Sequence, residues 1–345
     1  MVRRILTALL LLGPVAVLLE HVGAGHLVVF IVAAVALIPL AWLIGEATEH
    51  AAHHTGPGVG GFLNATFGNA PELIIALFAV NEGATEVVRG SLTGSVVGNL
   101  LLVLGASLLV GGRGTLDKTS SLTSLGLIAF AGLLFLIPSI PGFDGDPDRR
   151  SLAWPSLWVS IILLAVYVVV TVLALRRHRG LHTSDEPAAF AGWSFRKSLI
   201  VLGLATVVTA LVAEALVGSL DAFSKSAGLS EFFVAAVIVA IVGNAAEHGG
   251  AVLVAAKGKI ALAAEIALSS AAQVAVFLIP AVMVLSFALT PLPLAFRPAE
   301  LATGAAALAV TVAATAGGKS SRGRGVLLLA SYVAIAVVYF LVGNR

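Results

Sequence analysis

One short phrase occurs twice inside apolar sequence, as Gly68-Asn69-Ala70-Pro71-Glu72 and again as Gly243-Asn244-Ala245-Ala246-Glu247. Each copy sets an amide and a carboxylate among residues otherwise suited to lipid. A charged side chain at membrane depth costs roughly 2.5–3.5 kcal/mol or more unless it faces a partner, a cation or a cavity. Carboxylates and carbonyls are hard oxygen ligands that suit Ca²⁺ better than softer transition metals. Two glutamates also match a divalent charge. Glu72 and Glu247 are therefore the expected ligands of one central Ca²⁺ site, built where duplicated halves meet as in many secondary transporters. Asn69 and Asn244 lie three residues before their glutamates, on the same helical face. Each could supply a carbonyl ligand or hold the carboxylate. Pro71 has no N–H, so in a helix it frees the Phe67 carbonyl as a backbone ligand; Ala246 gives no such opening.

Companion segments carry polar stripes of their own. Ser91, Ser95 and Asn99 are spaced by four, and Ser269 and Gln273 form a similar face with Ser270 beside them. Small polar residues also join membrane helices by hydrogen bonds, which accounts for Ser91. Asn99 and Gln273, in matching segments, are assigned to the ion path. Glu265 precedes Ser269 by one turn. Glu49 and Glu214 sit towards the ends of paired segments, as pathway or gate residues or as solvated end charges, and Glu46 shares that ambiguity. His248 follows Glu247 directly and so points about 100° away on a helix, which suits a supporting or packing role. His50, His53 and His54 cluster at a span end and read as interface histidines.

These residues need elements to position them. The chain is 59% hydrophobic and only 11% charged. At about 20 residues per crossing, eleven apolar helices are expected. They fall near 5–26, 27–52, 60–82, 84–111, 119–140, 151–176, 197–222, 230–256, 259–289, 297–316 and 325–343. The expected fold is an all-α polytopic membrane protein with no separate soluble domain. Aligning Glu72 with Glu247 brings Ser95 onto Ser270, and Ala47-Thr48-Glu49 resembles Val212-Ala213-Glu214. The reading is an N-terminal helix (1–26), a first repeat (27–176), a polar linker (177–196) and a second repeat (197–345). Five spans per repeat is an odd number, so the halves enter the membrane from opposite sides, the inverted arrangement associated with alternating access.

With the N-terminus cytoplasmic, fourteen lysines and arginines fall on inner segments and six on outer ones. That satisfies the positive-inside rule and leaves the C-terminus outside. These basic clusters require no nucleic acid. Arg3 and Arg4 before an apolar stretch resemble a signal peptide, but no small-residue cleavage site follows. There is no cysteine, which excludes disulfides, thiolate metal sites and thiol nucleophiles. The acidic turn at 141–148 lacks the ligand order of an EF-hand. No His-Glu-x-x-His occurs and no histidine pair is spaced to join Glu72 or Glu247 as zinc ligands. The expectation is thus a transporter rather than an enzyme, with no cofactor, Ca²⁺ as cargo, the lipid bilayer as its partner, and room for a homo-oligomer.

At Asn64-Ala65-Thr66-Phe67-Gly68-Asn69-Ala70-Pro71-Glu72-Leu73-Ile74-Ile75-Ala76-Leu77 and Gly243-Asn244-Ala245-Ala246-Glu247-His248 the chain resembles the cation/proton exchanger family, the Ca²⁺/H⁺ antiporters of the calcium/cation antiporter superfamily. Ser95 with Asn99-Leu100-Leu101-Leu102-Val103-Leu104-Gly105, and Ser269-Ser270 with Gln273, resemble the helices that follow in that family. The resemblance implies an eleven-helix fold in which Glu72 and Glu247 serve both Ca²⁺ and protons. It also implies supporting ligands from Asn69, Asn244 and nearby carbonyls, those of Phe67, Gly68 and Gly243 being candidates, with spans two and seven shifting to alternate access. Pro71 departs from the family's usual small or β-branched residue, and the long acidic segment of many eukaryotic members is absent. Asparagine at 69 and 244 favours the proton-coupled branch over the sodium-coupled one, whose motifs are hydroxyl-rich. The function so implied is Ca²⁺/H⁺ antiport that removes cytosolic Ca²⁺. Na⁺- or K⁺-coupled exchange and Mn²⁺/H⁺ exchange are the alternatives on the same fold. The composition suggests a prokaryotic plasma membrane.

Overall fold

The computed structural model describes residues 2–143, 148–179 and 192–343. Among them, nine helices are long and apolar enough to cross a membrane, and ten if one bent pair counts as a single span. The only strands among the described residues are a two-residue antiparallel pair, Gly114–Thr115 with Lys319–Ser320. The acidic turn at 144–147 and most of the predicted linker, 180–191, lie outside the described residues.

Most spans fall where hydropathy places them: Thr85–Gly111, Lys118–Gly142, Arg150–Leu173, Phe195–Ala227, Ile260–Ser286, Pro298–Thr315 and Arg322–Gly343. The differences lie in the interruptions. The first span is two helices, Val2–Leu9 and Leu12–His21. The second and third predicted spans are not separate helices, because helical structure continues from His26 to Phe67. It is not straight. A Cβ built on Gly60 would sit 2.7 Å from the carbonyl oxygen of Ala52, whereas residues eight apart in a straight helix are separated by roughly 12 Å. The chain therefore turns sharply between Ala52 and Gly60. After Phe67 the helix stops, and a shorter one, Ala70–Asn81, completes the third crossing. The eighth is likewise divided, into Glu231–Gly243 and Ala245–Ala256, which meet at 60°.

Two sets of polar contacts fix the opposite faces of the bundle. On one, the strand pair joins the connection after Gly111 to the connection after Thr315, and Ser320 donates to the Gly112 carbonyl at 2.8 Å. On the other stands Arg89, the largest fully buried side chain. It meets Glu86 at 2.8 Å, Asp148, and Glu300 at 3.6 Å, and Arg297 also bonds Glu86. One guanidinium thus ties together the start of the fourth span, the connection before the sixth and the start of the tenth. Removing one partner of a buried ion pair leaves uncompensated charge, at a cost of roughly 3–5 kcal/mol. Arg89→Ala is accordingly expected to lower the thermal midpoint of the detergent-solubilised protein by many degrees. An unchanged midpoint would show that the network is not needed for stability.

The two halves meet through glycine. Gly90 and Gly94, one turn apart on the fourth span, press on the backbone of the eighth. Added Cβ atoms would lie 2.7 Å from the Phe232 carbonyl oxygen and 2.1 Å from that of Ala236. Small residues at four-residue spacing allow such backbone approach in membranes. The facing segment, Val234–Val239, is a π-helical turn, and two more occur at Gly98–Val103 and Val274–Leu278. The last two lie in the fourth and ninth spans, immediately after the serine and glutamine positions singled out by sequence. π-Turns inside α-helices concentrate at functional sites.

Candidate functional site

The duplicated phrase marks the two helix breaks. Asn69 and Asn244 are the N-cap residues of Ala70–Asn81 and Ala245–Ala256, with nearly the same backbone angles (φ −98°, ψ 14° and φ −93°, ψ 6°). Glu72 and Glu247 fall in the first turns that follow. The expectation that each Asn and Glu shares one face of a continuous helix is therefore replaced by an N-cap and the third residue beyond it. A first-turn carboxylate faces the positive end of the helix dipole. Asn-x-x-Glu is also a helix-start pattern in which the cap side chain normally turns back to its own first turn. Here neither asparagine makes that bond.

Both amides instead reach across to the other repeat. Asn69 Nδ2 donates to Gln273 Oε1 at 3.3 Å, and Asn244 Nδ2 donates to Ser95 Oγ at 2.9 Å. Asn99 Nδ2 donates to the Ser95 carbonyl at 3.0 Å. Ser270 donates to Glu247 Oε2 at 2.5 Å. Ser269 bonds back to the Ile266 carbonyl, so of the adjacent serines it is Ser270 that meets the carboxylate. Gly243 makes room for Glu72: a Cβ there would be 3.3 Å from Glu72 Cγ and 3.7 Å from its carboxyl carbon. Glu72 thus lies against the second break, beside a glycine four residues before Glu247.

Three buried acceptor oxygens at this junction, Glu72 Oε2, Asn99 Oδ1 and Asn244 Oδ1, have no hydrogen-bond partner. Leaving such atoms unserved costs about 1–3 kcal/mol each. The breaks add backbone oxygens. Across them the helical ladder resumes only with Leu73 N–H to the Asn69 carbonyl (3.0 Å) and His248 N–H to the Asn244 carbonyl (2.9 Å). The carbonyls of Gly68 and Gly243 thus lack their helical donors, as a helix C-terminus leaves them. Pro71 sits at the start of the second half-helix, where a missing N–H costs nothing. The break at Asn244 forms without a proline, so the second half has an opening that Ala246 alone does not suggest. The donor set is two carboxylates, amide oxygens, hydroxyls and backbone carbonyls. That chemistry fits a hard divalent cation. Among the described residues no group of three or more His, Cys, Asp or Glu could hold a metal ion, so a transition-metal cluster is not what this set resembles.

Other residues singled out by sequence lie elsewhere. Glu49 and Glu214 are exposed. Glu265 is exposed on the strand-bearing side and accepts from Ser120 at 3.4 Å. Glu46 pairs with Arg3 at 2.6 Å, tying the first helix to the second. His248 is half-buried and its Nε2 has no partner. His54 bonds the Trp193 carbonyl at 2.8 Å, where helices two and seven lie together. In the sequence, Arg89 counts only as one of the six basic residues on the outer side. Its place five residues into an apolar span, three after Glu86, was the available sign of an internal ion pair.

Two helix breaks that bring acidic and amide side chains of both halves together are characteristic of membrane transporters. The chain matches the model of the sodium/calcium exchanger protein family over residues 25–176 and 197–341, and it belongs to that family. It is 41% identical over 326 residues to the Ca²⁺/H⁺ antiporter ChaA of Bacillus subtilis, covering 91% of this chain and 92% of the relative. It is 33% identical over 371 residues to a Ca²⁺/H⁺ antiporter of Synechocystis, covering 98% and 97%. Among solved structures, native YfkE superposes with a TM-score of 0.84 at 37% identity, covering 98% of this chain and 99% of that one.

Proposed function

We propose that this protein is a Ca²⁺/H⁺ antiporter in which Glu72 and Glu247 bind Ca²⁺ when ionised and release it when protonated. The observation that carries the reading is the meeting of the two helix breaks. The Glu72 carboxyl lies against Gly243 of the other break, and buried oxygens around it have no donor. A cation would satisfy those oxygens and cancel the repulsion of the paired charges. Protons would do the same for the carboxylates alone, so the two ions compete for one set of atoms. The relatives named as Ca²⁺/H⁺ antiporters support this pairing of ions. Exchange follows if the empty, unprotonated carrier does not change sides. Asn69, Asn244, Ser95, Asn99, Ser270 and Gln273 support the site, with the Phe67, Gly68 and Gly243 carbonyls as further ligands. The helices His26–Thr55 and Phe195–Ala227, packed side by side, are the elements that would move to open it to either face. With the N-terminus cytoplasmic, the protein expels cytosolic Ca²⁺ as protons enter. Two repeats, 27–176 and 197–345, flanked by helix 1–26, are the units of that motion.

Competition has a definite sign. Close carboxylates titrate as a coupled pair, and each proton they hold must leave before Ca²⁺ binds. Apparent Ca²⁺ affinity should fall as pH falls, and its logarithm should change by up to about two per pH unit where both protons are displaced. Radioactive Ca²⁺ binding to purified protein over a pH series measures that slope. A pH-independent affinity would contradict proton competition.

A further inference from the structure

A second cavity lies apart from the ion site. About 360 Å³ in volume, it is bounded by the fourth, fifth and tenth spans and the π-turn of the ninth. Its walls are apolar except for Thr93 and Glu300. Both are at least nine-tenths buried, and Thr93 Oγ1 and Glu300 Oε1 have no hydrogen-bond partner. Glu300 Oε2 is served by the Arg297 amide at 3.0 Å. The nearest guanidinium nitrogen to Oε1, Nε of Arg89, stands 3.6 Å away, too far for a hydrogen bond. The other nitrogens of Arg89 are bonded to Glu86 and Asp148. Glu300 therefore presents one unserved acceptor to an apolar chamber. Gly132 on the fifth span and Gly304 on the tenth line the same chamber, and a Cβ on either would meet no atom within 4 Å. The space is open on two walls, and Leu133 beside it is an exposed apolar residue on the lipid-facing surface.

We propose that this cavity is a lipid site. It takes one acyl chain of a membrane phospholipid whose headgroup carries a primary ammonium, with the ammonium donating to Glu300 and Thr93. The apolar walls match the chain, and a volume near the lower end of small-ligand pockets leaves room for one chain only. The missing donor selects the head: Arg89 bonds Glu86 and Asp148, Arg297 bonds Glu86, and an ammonium supplies the hydrogen bond that Glu300 lacks. A trimethylated headgroup keeps the charge but has no N–H to give. The site lies on the face opposite the strand pair, between two of the spans that Arg89 ties, the fourth and the tenth.

Native mass spectrometry of protein delipidated in detergent and re-equilibrated with equal phosphatidylethanolamine and phosphatidylcholine reads the site directly. The native chain should retain phosphatidylethanolamine over phosphatidylcholine by about tenfold, the worth of one charge-assisted hydrogen bond. Gly132→Leu and Gly304→Leu, which fill the chamber from opposite walls, should lose the bound lipid. Glu300→Gln should keep a lipid and lose the headgroup preference. Equal retention of the two lipids by the native chain would overturn the headgroup assignment without recourse to any variant. Undiminished lipid in a folded leucine variant would overturn the cavity as the site.

Discussion

Glu72→Gln and Glu247→Gln proteins, reconstituted into vesicles, are expected to exchange Ca²⁺ for protons at less than about one-hundredth of the native rate, since a charged hydrogen-bonding contact is worth roughly 1.5–3 kcal/mol and a ligand to a divalent cation more. Glutamine retains the shape and one carbonyl oxygen but neither the charge nor the exchangeable proton. Under shared ligation both functions should vanish in one change. The effect should be alike at the two positions, which occupy matching first turns after matching breaks. Ion flux and proton flux should also fall together. A variant that retained Ca²⁺ movement but lost proton movement would separate the two sites and refute shared ligation. Fluorescence-detected size exclusion of each variant distinguishes loss of chemistry from loss of fold.

The second large effect concerns how the repeats are held together. Gly94→Val would drive two methyl groups into the Ala236 backbone, where even a single Cβ lies 2.1 Å from the carbonyl oxygen and 2.7 Å from the carbonyl carbon. The obstacle is backbone, so no side chain can turn aside. Gly90, one turn away, is pressed against Phe232 in the same manner, so the span cannot pivot about this point. Overpacking a core usually costs about 1–3 kcal/mol, and this contact should reach or exceed the top of that range. Gly94→Val should therefore yield little monodisperse protein. Gly126→Ala, where a Cβ meets nothing within 4 Å, should behave as the native chain does. Equal yields of the two would show that spans four and eight do not need their close approach.

Much of this architecture is legible in the residues, because hydropathy and charge report directly on the bilayer. Most span positions, the duplication and the two glutamates follow from runs of apolar residues and their interruptions. The breaks were harder to see. Residues 60–82 and 230–256 are predominantly apolar, so a lipid-based count draws each as one helix. The cap pattern at Asn69 and Asn244 points to a new helix start, but it reads equally as two polar residues on one helical face. Which of the two holds depends on partners 149 and 204 residues away in the chain, Ser95 for Asn244 and Gln273 for Asn69. The π-turns have no local signature of this kind, and they follow from packing. Arg89 and Glu300 illustrate the same limit. Each is a charge near a span end, which alone suggests solvation, and only the folded arrangement buries both.

The shared-site account is tested most directly by Ca²⁺-driven proton movement in proteoliposomes, read with a trapped pH dye in buffer free of sodium and potassium. External Ca²⁺ should alkalinise an acidic lumen, and should do so only when Glu72 and Glu247 are both intact. Ca²⁺ entry without a change in lumenal pH would contradict proton-coupled exchange at this pair of carboxylates.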